Sequence, residues 1–207
     1  MVADRVLRAA EDADDPLRIA AAHWNRGHVL LSGPGQESDA ADVAMAAADQ
    51  LARTSATPEA AAVRGALELV AVVAEARARR PWAAPERLAA KAVPLARRVS
   101  DSSNTLRTVF GPTNTELHAV SVEMTAGDAI EGLRLADRVD VSRLPSLERR
   151  FTFGLEVAAG YGLRRDDAAA LVHLLELEDL APDAGCISRH GRSVRPHQVG
   201  RIGTPSA

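Results

Sequence analysis

The side chains best suited to nucleophilic, acid-base or metal chemistry in this 207-residue chain are six histidines and one cysteine, and their spacing decides what they could do. Cys186 and His190 form a Cys-x3-His step with His197 beyond, but no second cysteine completes a tetrahedral zinc set. His23, His28, His118 and His173 enter no His-Glu-x-x-His pair, so neither a metal site nor a cofactor is expected. Gly33-Pro34-Gly35 lacks the lysine of a phosphate loop, and no Gly-x-Ser-x-Gly turn occurs. The acidic groups around Glu11 to Asp15 and Asp39 to Asp42 suit solvated first turns of helices, where the helix dipole favours negative charge. No catalytic residue is assigned, and the chain is expected not to be an enzyme.

Two pairs remain. Trp24 and His28 stand one helical turn apart and could stack a ligand while donating a hydrogen bond, although core packing alone explains many tryptophans. Asn114 and His118 repeat the spacing. There, capping of a helix start after Gly111-Pro112-Thr113 would account for Asn114 without any ligand.

The elements that position these pairs are legible in the apolar period. Leu17, Ala20, Ala21, Trp24, Gly27, His28 and Leu31 recur at three and four residues, as similar residues do nearly everywhere, while period-two alternation is hard to find. The fold class expected is all-α, with helices at about 2–12, 16–32, 37–53, 58–79, 84–99, 113–126, 128–139, 145–163 and 166–181. Asp15-Pro16 and Thr57-Pro58 each place a capping oxygen before a first-turn proline. Pro94 falls inside one of these segments, where a kink is expected.

Composition agrees with helices in close contact. Alanine supplies about a fifth of the chain and aromatics only 3%, so a core of small and aliphatic side chains is required. The formal net charge is −3 and Lys91 is the only lysine, which offers little to nucleic acid. Arg189, Arg192, Arg195 and Arg201 lie in a glycine-bearing stretch without acidic residues, read as a disordered basic tail at 184–207. The lone cysteine, and the lack of a signal segment or a long apolar run, point to a cytoplasmic protein that does not enter membranes.

Internal repetition defines the architecture. Ala158, Tyr161, Ala170, Leu174 and Pro182 reproduce the spacing of a tetratricopeptide hairpin: Ala158 and Ala170 mark the helix contact, and Tyr161 and Leu174 fill the wedge beside it. Val120, Gly132 and Ala136 repeat the frame in weaker form, as do Gly27 and Ala40. Residues 1–183 are thus read as a tetratricopeptide-like α-solenoid: a lone helix at 1–13, then hairpins at about 15–53, 57–100, 112–140 and 145–182. The tetrapeptide Ala3-Asp4-Arg5-Val6 returns as Ala136-Asp137-Arg138-Val139, so the first helix is expected to be the second half of a hairpin whose first half lies upstream.

The chain resembles the tetratricopeptide-like C-terminal region of actinobacterial helix-turn-helix transcriptional regulators of the Xre type. The residues carrying this are Thr108-Val109-Phe110-Gly111-Pro112-Thr113-Asn114 with Leu117-His118, Gly127-Asp128, Ala136 to Val139, Leu144-Pro145 with Glu148-Arg149-Arg150, and Arg164 through Pro182. The family places a DNA-binding domain ahead of this region and this chain has none, so the resemblance implies a sensing or interaction half without direct DNA binding. First helices of stacked hairpins line a concave groove. Its expected lining is Trp24 and His28, then Leu69 and Val73, then Asn114, Leu117, Ser121 and Met124, then Leu155. The expected occupant is a peptide, a partner helix, a second copy of the chain or a small ligand. A stand-alone scaffold that dimerises or docks onto a partner protein is the alternative reading.

Overall fold

A computed structural model describes residues 2–80, 82–102, 104–143 and 147–180. Cys186, His190, His197 and the whole segment expected to be a basic tail therefore lie outside the described residues. The fold is all-α, and no strand occurs among the described residues.

The long helices are α1 (Val2–Asp12), α2 (Pro16–Leu31), α3 (Glu37–Thr54), α4 (Pro58–Arg77), α7 (Pro112–Ala126), α8 (Ala129–Ala136), α9 (Leu147–Leu163) and α10 (Asp167–Leu180). Between α4 and α7 run α5 (Ala83–Arg87), a π-helical turn at Leu88–Ala92 and α6 (Val93–Ala96). The starts follow the chemistry expected of them. The carboxylate of Asp15 accepts from the N–H groups of Leu17 and Arg18, and Thr57 Oγ1 accepts from that of Ala60, each ahead of a first-turn proline.

At Pro94, where a kink is expected, the helical path changes its hydrogen-bond pattern. The turn before the proline widens, with the Val93 N–H reaching back five residues to the Leu88 carbonyl. A ring without an N–H is thereby accommodated inside a continuous helical path.

α4 is the central element. Ala60, Val63, Leu67, Val70 and Ala74 face a core shared with α2 and α3, whereas Ala62, Ala66, Leu69 and Val72 face one completed by α5, α6 and Phe110. Apolar residues around its whole circumference are what a helix buried on all sides requires. Trp24 is half-buried and touches both cores. A third core joins α7, α8 and α9 through Leu117, Val120, Leu133, Phe153 and Val157.

Helices neighbouring in sequence pack on each other, and α2 also meets α4, α4 meets α7, and α7 meets α9. Small residues mark the close approaches. A Cβ on Gly27 of α2 would fall 2.7 Å from Val70 Cγ1 of α4, so that helix pair touches where only hydrogen fits.

The last hairpin departs from its expected frame. Ala158 is buried, but Leu174 is exposed, and Tyr161 stacks on His173 with ring centroids 5.1 Å apart. Leu177 is the side chain that seats on the partner helix, over Gly154. The wedge is filled from one turn further along α10 than the repeat spacing implies.

Candidate functional site

Three helices each present a row spaced by four residues, the spacing that puts side chains on one helix face. α2 supplies Trp24 and His28, α4 supplies Leu69, Val73 and Arg77, and α7 supplies Asn114 and His118. Arg149, from the first turn of α9, reaches the same place. Together these side chains border a cleft of about 330 Å³, completed by Leu31, Ser32, Ala66, Val70 and Thr108. Five of the expected groove residues, Trp24, His28, Leu69, Val73 and Asn114, are therefore brought together.

Leu117 and Ser121 open onto an adjoining recess of about 170 Å³, which shares His118 and Arg149 with the cleft. Met124 and Leu155 are in neither. Met124 is directed into the α7, α8 and α9 hairpin contacts, within 3 Å of where Cβ atoms on Gly132 and Gly160 would lie. Leu155 is exposed on α9 and borders neither recess. A continuous row of first-helix residues does not predict this, because Gly132 and Gly160 draw the methionine inward.

The polar geometry is well defined. Trp24 and His28 meet edge to face, with centroids 4.7 Å apart and planes at 81°. Arg77 Nη1 donates to the Leu31 carbonyl at 2.7 Å, satisfying a carbonyl at the end of α2. Arg149 Nη1 donates to Asn114 Oδ1 at 2.6 Å, and His118 Nδ1 lies 2.8 Å from the Asn114 carbonyl. A carbonyl only accepts, so His118 carries its proton on Nδ1, and neutral imidazole then holds a lone pair on Nε2.

The role expected of Asn114 as a helix cap is taken by another residue. Asp101 stands over the α7 start: Oδ1 accepts from the Thr113 N–H at 2.9 Å, and Oδ2 from Thr113 Oγ1 at 2.8 Å. The Gly111 cap position carries no side chain of its own, and a Cβ there would fall 2.7 Å from Asp101 Oδ1. Asn114 is thereby released to orient Arg149.

Burial and neighbouring guanidiniums disfavour the protonated form of both imidazoles. Burial lowers the His28 pKa, and the guanidiniums of Arg149 and Arg77 lower it further. For His118 burial dominates, outweighing the hydrogen bond to Asn114, and with Arg149 and His28 it brings the pKa to about 4. Burial also lowers Arg149, against the pull of Glu148 and Glu156. In the adjoining recess Ser121 donates to Glu156, whose carboxyl is raised by burial despite that hydrogen bond and Arg149.

Sequence reasoning missed Arg77 and Arg149 and saw His118 only as the neighbour of Asn114, since the helices that carry them are far apart in the chain. It also missed a larger, mainly apolar cavity of about 510 Å³ between α8, α9 and α10, lined by Phe153, Val157 and Leu177 with Arg150 and His173. Volume alone does not make a binding site. The smaller cleft is the one on which polar groups from four helices converge.

No family model matches the chain, and neither the curated proteins nor the solved structures searched contain a match.

Proposed function

We propose that the chain is a tetratricopeptide-like binding module, the sensing or protein-interaction half of a bacterial transcriptional regulator, with its ligand or peptide held in the cleft between α2, α4, α7 and α9. The observation carrying this reading is the convergence of Trp24, His28, Val73, Asn114 and Arg149 from four helices on one opening. An apolar wall of Leu69 and Val73 beside a few oriented polar groups suits recognition of an amphipathic partner. A ligand that touches four helices couples their relative placement, and that coupling can favour one arrangement of the stack over another. The chain performs no chemistry and contacts no DNA itself.

The test is transcriptional. In the native host, Trp24→Ala at the chromosomal locus should shift the same set of transcripts as deletion of the gene. A deletion that leaves the transcriptome unchanged overturns the regulatory reading.

A second reading rests on α10. Leu171, Val172, Leu174 and Leu175 are exposed there, a larger apolar surface than a solvated helix needs. It favours a scaffold that docks onto another protein or onto its own copy. Light scattering on the chain and on Leu171→Glu with Leu175→Glu separates the two outcomes: a dimer abolished by the substitutions supports self-association, and a monomer in both excludes it.

A further inference from the structure

The walls of the cleft are unbalanced in charge. Two guanidiniums, Arg77 and Arg149, border it and no carboxylate among the described residues does; the imidazoles of His28 and His118 add polar contacts without charge. This occurs in a chain whose net charge is −3, so the sign of the cleft is opposite to that of the molecule. Glu148 and Glu156 act on Arg149 from α9, but Glu156 belongs to the adjoining recess, where it accepts from Ser121.

We propose that the cleft takes a small organic carboxylate, its anionic head drawn to Arg77, His28 and Arg149 and its apolar body laid against Trp24, Leu69 and Val73. This rests on the cleft being the chain's ligand site and adds the chemical class of the ligand. Arg149 is pre-oriented by its 2.6 Å bond to Asn114, and Arg77 by its 2.7 Å bond to the Leu31 carbonyl, so neither long side chain has to be ordered on binding. Partial burial makes a charge-assisted contact stronger there than on an open surface. The cleft volume of about 330 Å³ suits a head with one ring or a short branched chain. An edge-to-face neighbour already holds the Trp24 ring in place, leaving it available as a flat apolar contact.

The chain has two tryptophans, Trp24 and Trp82, and Trp82 is exposed, so Trp82→Phe leaves Trp24 as the sole indole reporter. In that background, fluorescence titration compares phenylacetate with its neutral amide, phenylacetamide, and with the cation phenethylamine. Phenylacetate should quench Trp24 saturably with a dissociation constant near or below about 1 mM, and the amide and the amine should each bind about tenfold more weakly or worse. Arg149→Gln should weaken phenylacetate about tenfold while leaving the amide unchanged. Because that substitution also removes a bond to Asn114, Ser32→Asp serves as a second variant: the exposed Ser32 borders the cleft, and a carboxylate there should weaken the acid and strengthen the amine.

Equal affinity for acid and amide, or acid affinity unmoved by both variants, overturns the anion selectivity while leaving the cleft as a binding site. No saturable response to phenylacetate overturns the small-carboxylate proposal altogether. The regulatory reading is decided separately, by the transcript comparison.

Discussion

The ring of Phe110 occupies the space that a side chain at position 65 would need: a Cβ on Gly65 would fall 2.0 Å from its Cζ. Phe110 is only 1% exposed, and it anchors the loop ahead of α7 onto the middle of α4. Thr108, two residues earlier, borders the cleft, so this contact joins core packing to the site. Gly65→Ala should therefore cost about 1–3 kcal/mol through overpacking, more than its gain in helix propensity returns. Chemical denaturation measures the loss, and the double variant with Phe110→Leu should recover part of it. An unchanged midpoint in Gly65→Ala would show that the ring has somewhere else to go.

A buried ion pair ties α5 to the central helix. Arg87 Nε donates to Glu75 Oε1 and its Nη1 to Glu68 Oε2, each at 3.0 Å, and both glutamates are buried on α4. Burial opposes the charge on Arg87, and the two carboxylates more than restore it. Arg87→Met would strand two carboxylates in the interior and should cost about 3–5 kcal/mol. Adding Glu68→Gln and Glu75→Gln to it should recover much of that loss. Urea unfolding of the three proteins decides the matter: a triple variant no more stable than Arg87→Met would place the cost in lost packing rather than stranded charge.

Asp101 is a cap supplied from outside the helix it caps. Its two oxygens hold the N–H and hydroxyl of Thr113, and Oδ2 also meets Arg143 Nη2 at 2.8 Å. Arg143 is largely exposed, so that pair adds little, and the cap carries the effect. Asp101→Ala should cost about 1–2 kcal/mol and loosen the first turn of α7, which holds Asn114. Hydrogen exchange at the Thr113 amide reads this locally, and protection unchanged from the parent chain would refute it.

That capping arrangement lies beyond what local pattern could reach. The helices and their proline starts were readable because each depends on neighbours within about one turn. Trp24 with His28 and Asn114 with His118 were visible as pairs for the same reason. Nothing local shows that Asp101 lies over Thr113, that Phe110 fills the gap at Gly65, or that Arg149 reaches Asn114 from 35 residues away. Met124 and Leu174 were misplaced for a related cause. The repeat frame assigns a face by spacing, whereas glycines on facing helices decide which side chain is admitted.

The neutrality of His118 has a consequence for acid stability. Its pKa is about 4 in the folded chain, against an ordinary value of 6.5, so the unfolded chain binds the proton more readily. The contribution of this residue is therefore flat above about pH 6.5, becomes increasingly destabilising as pH falls from there, and levels off below about pH 4. Over that window the loss approaches about 3 kcal/mol at most. Glu123 and Glu156, both raised by burial, contribute in the opposite sense as they take up protons, so the residue must be isolated by substitution. His118→Asn keeps a side-chain donor for the Asn114 carbonyl and cannot titrate. Unfolding free energies at about pH 7.5, 5.5 and 4.5 should fall less steeply in His118→Asn than in the parent chain. Parallel curves would mean that the imidazole titrates alike in both states, and that burial beside Arg149 does not hold it neutral.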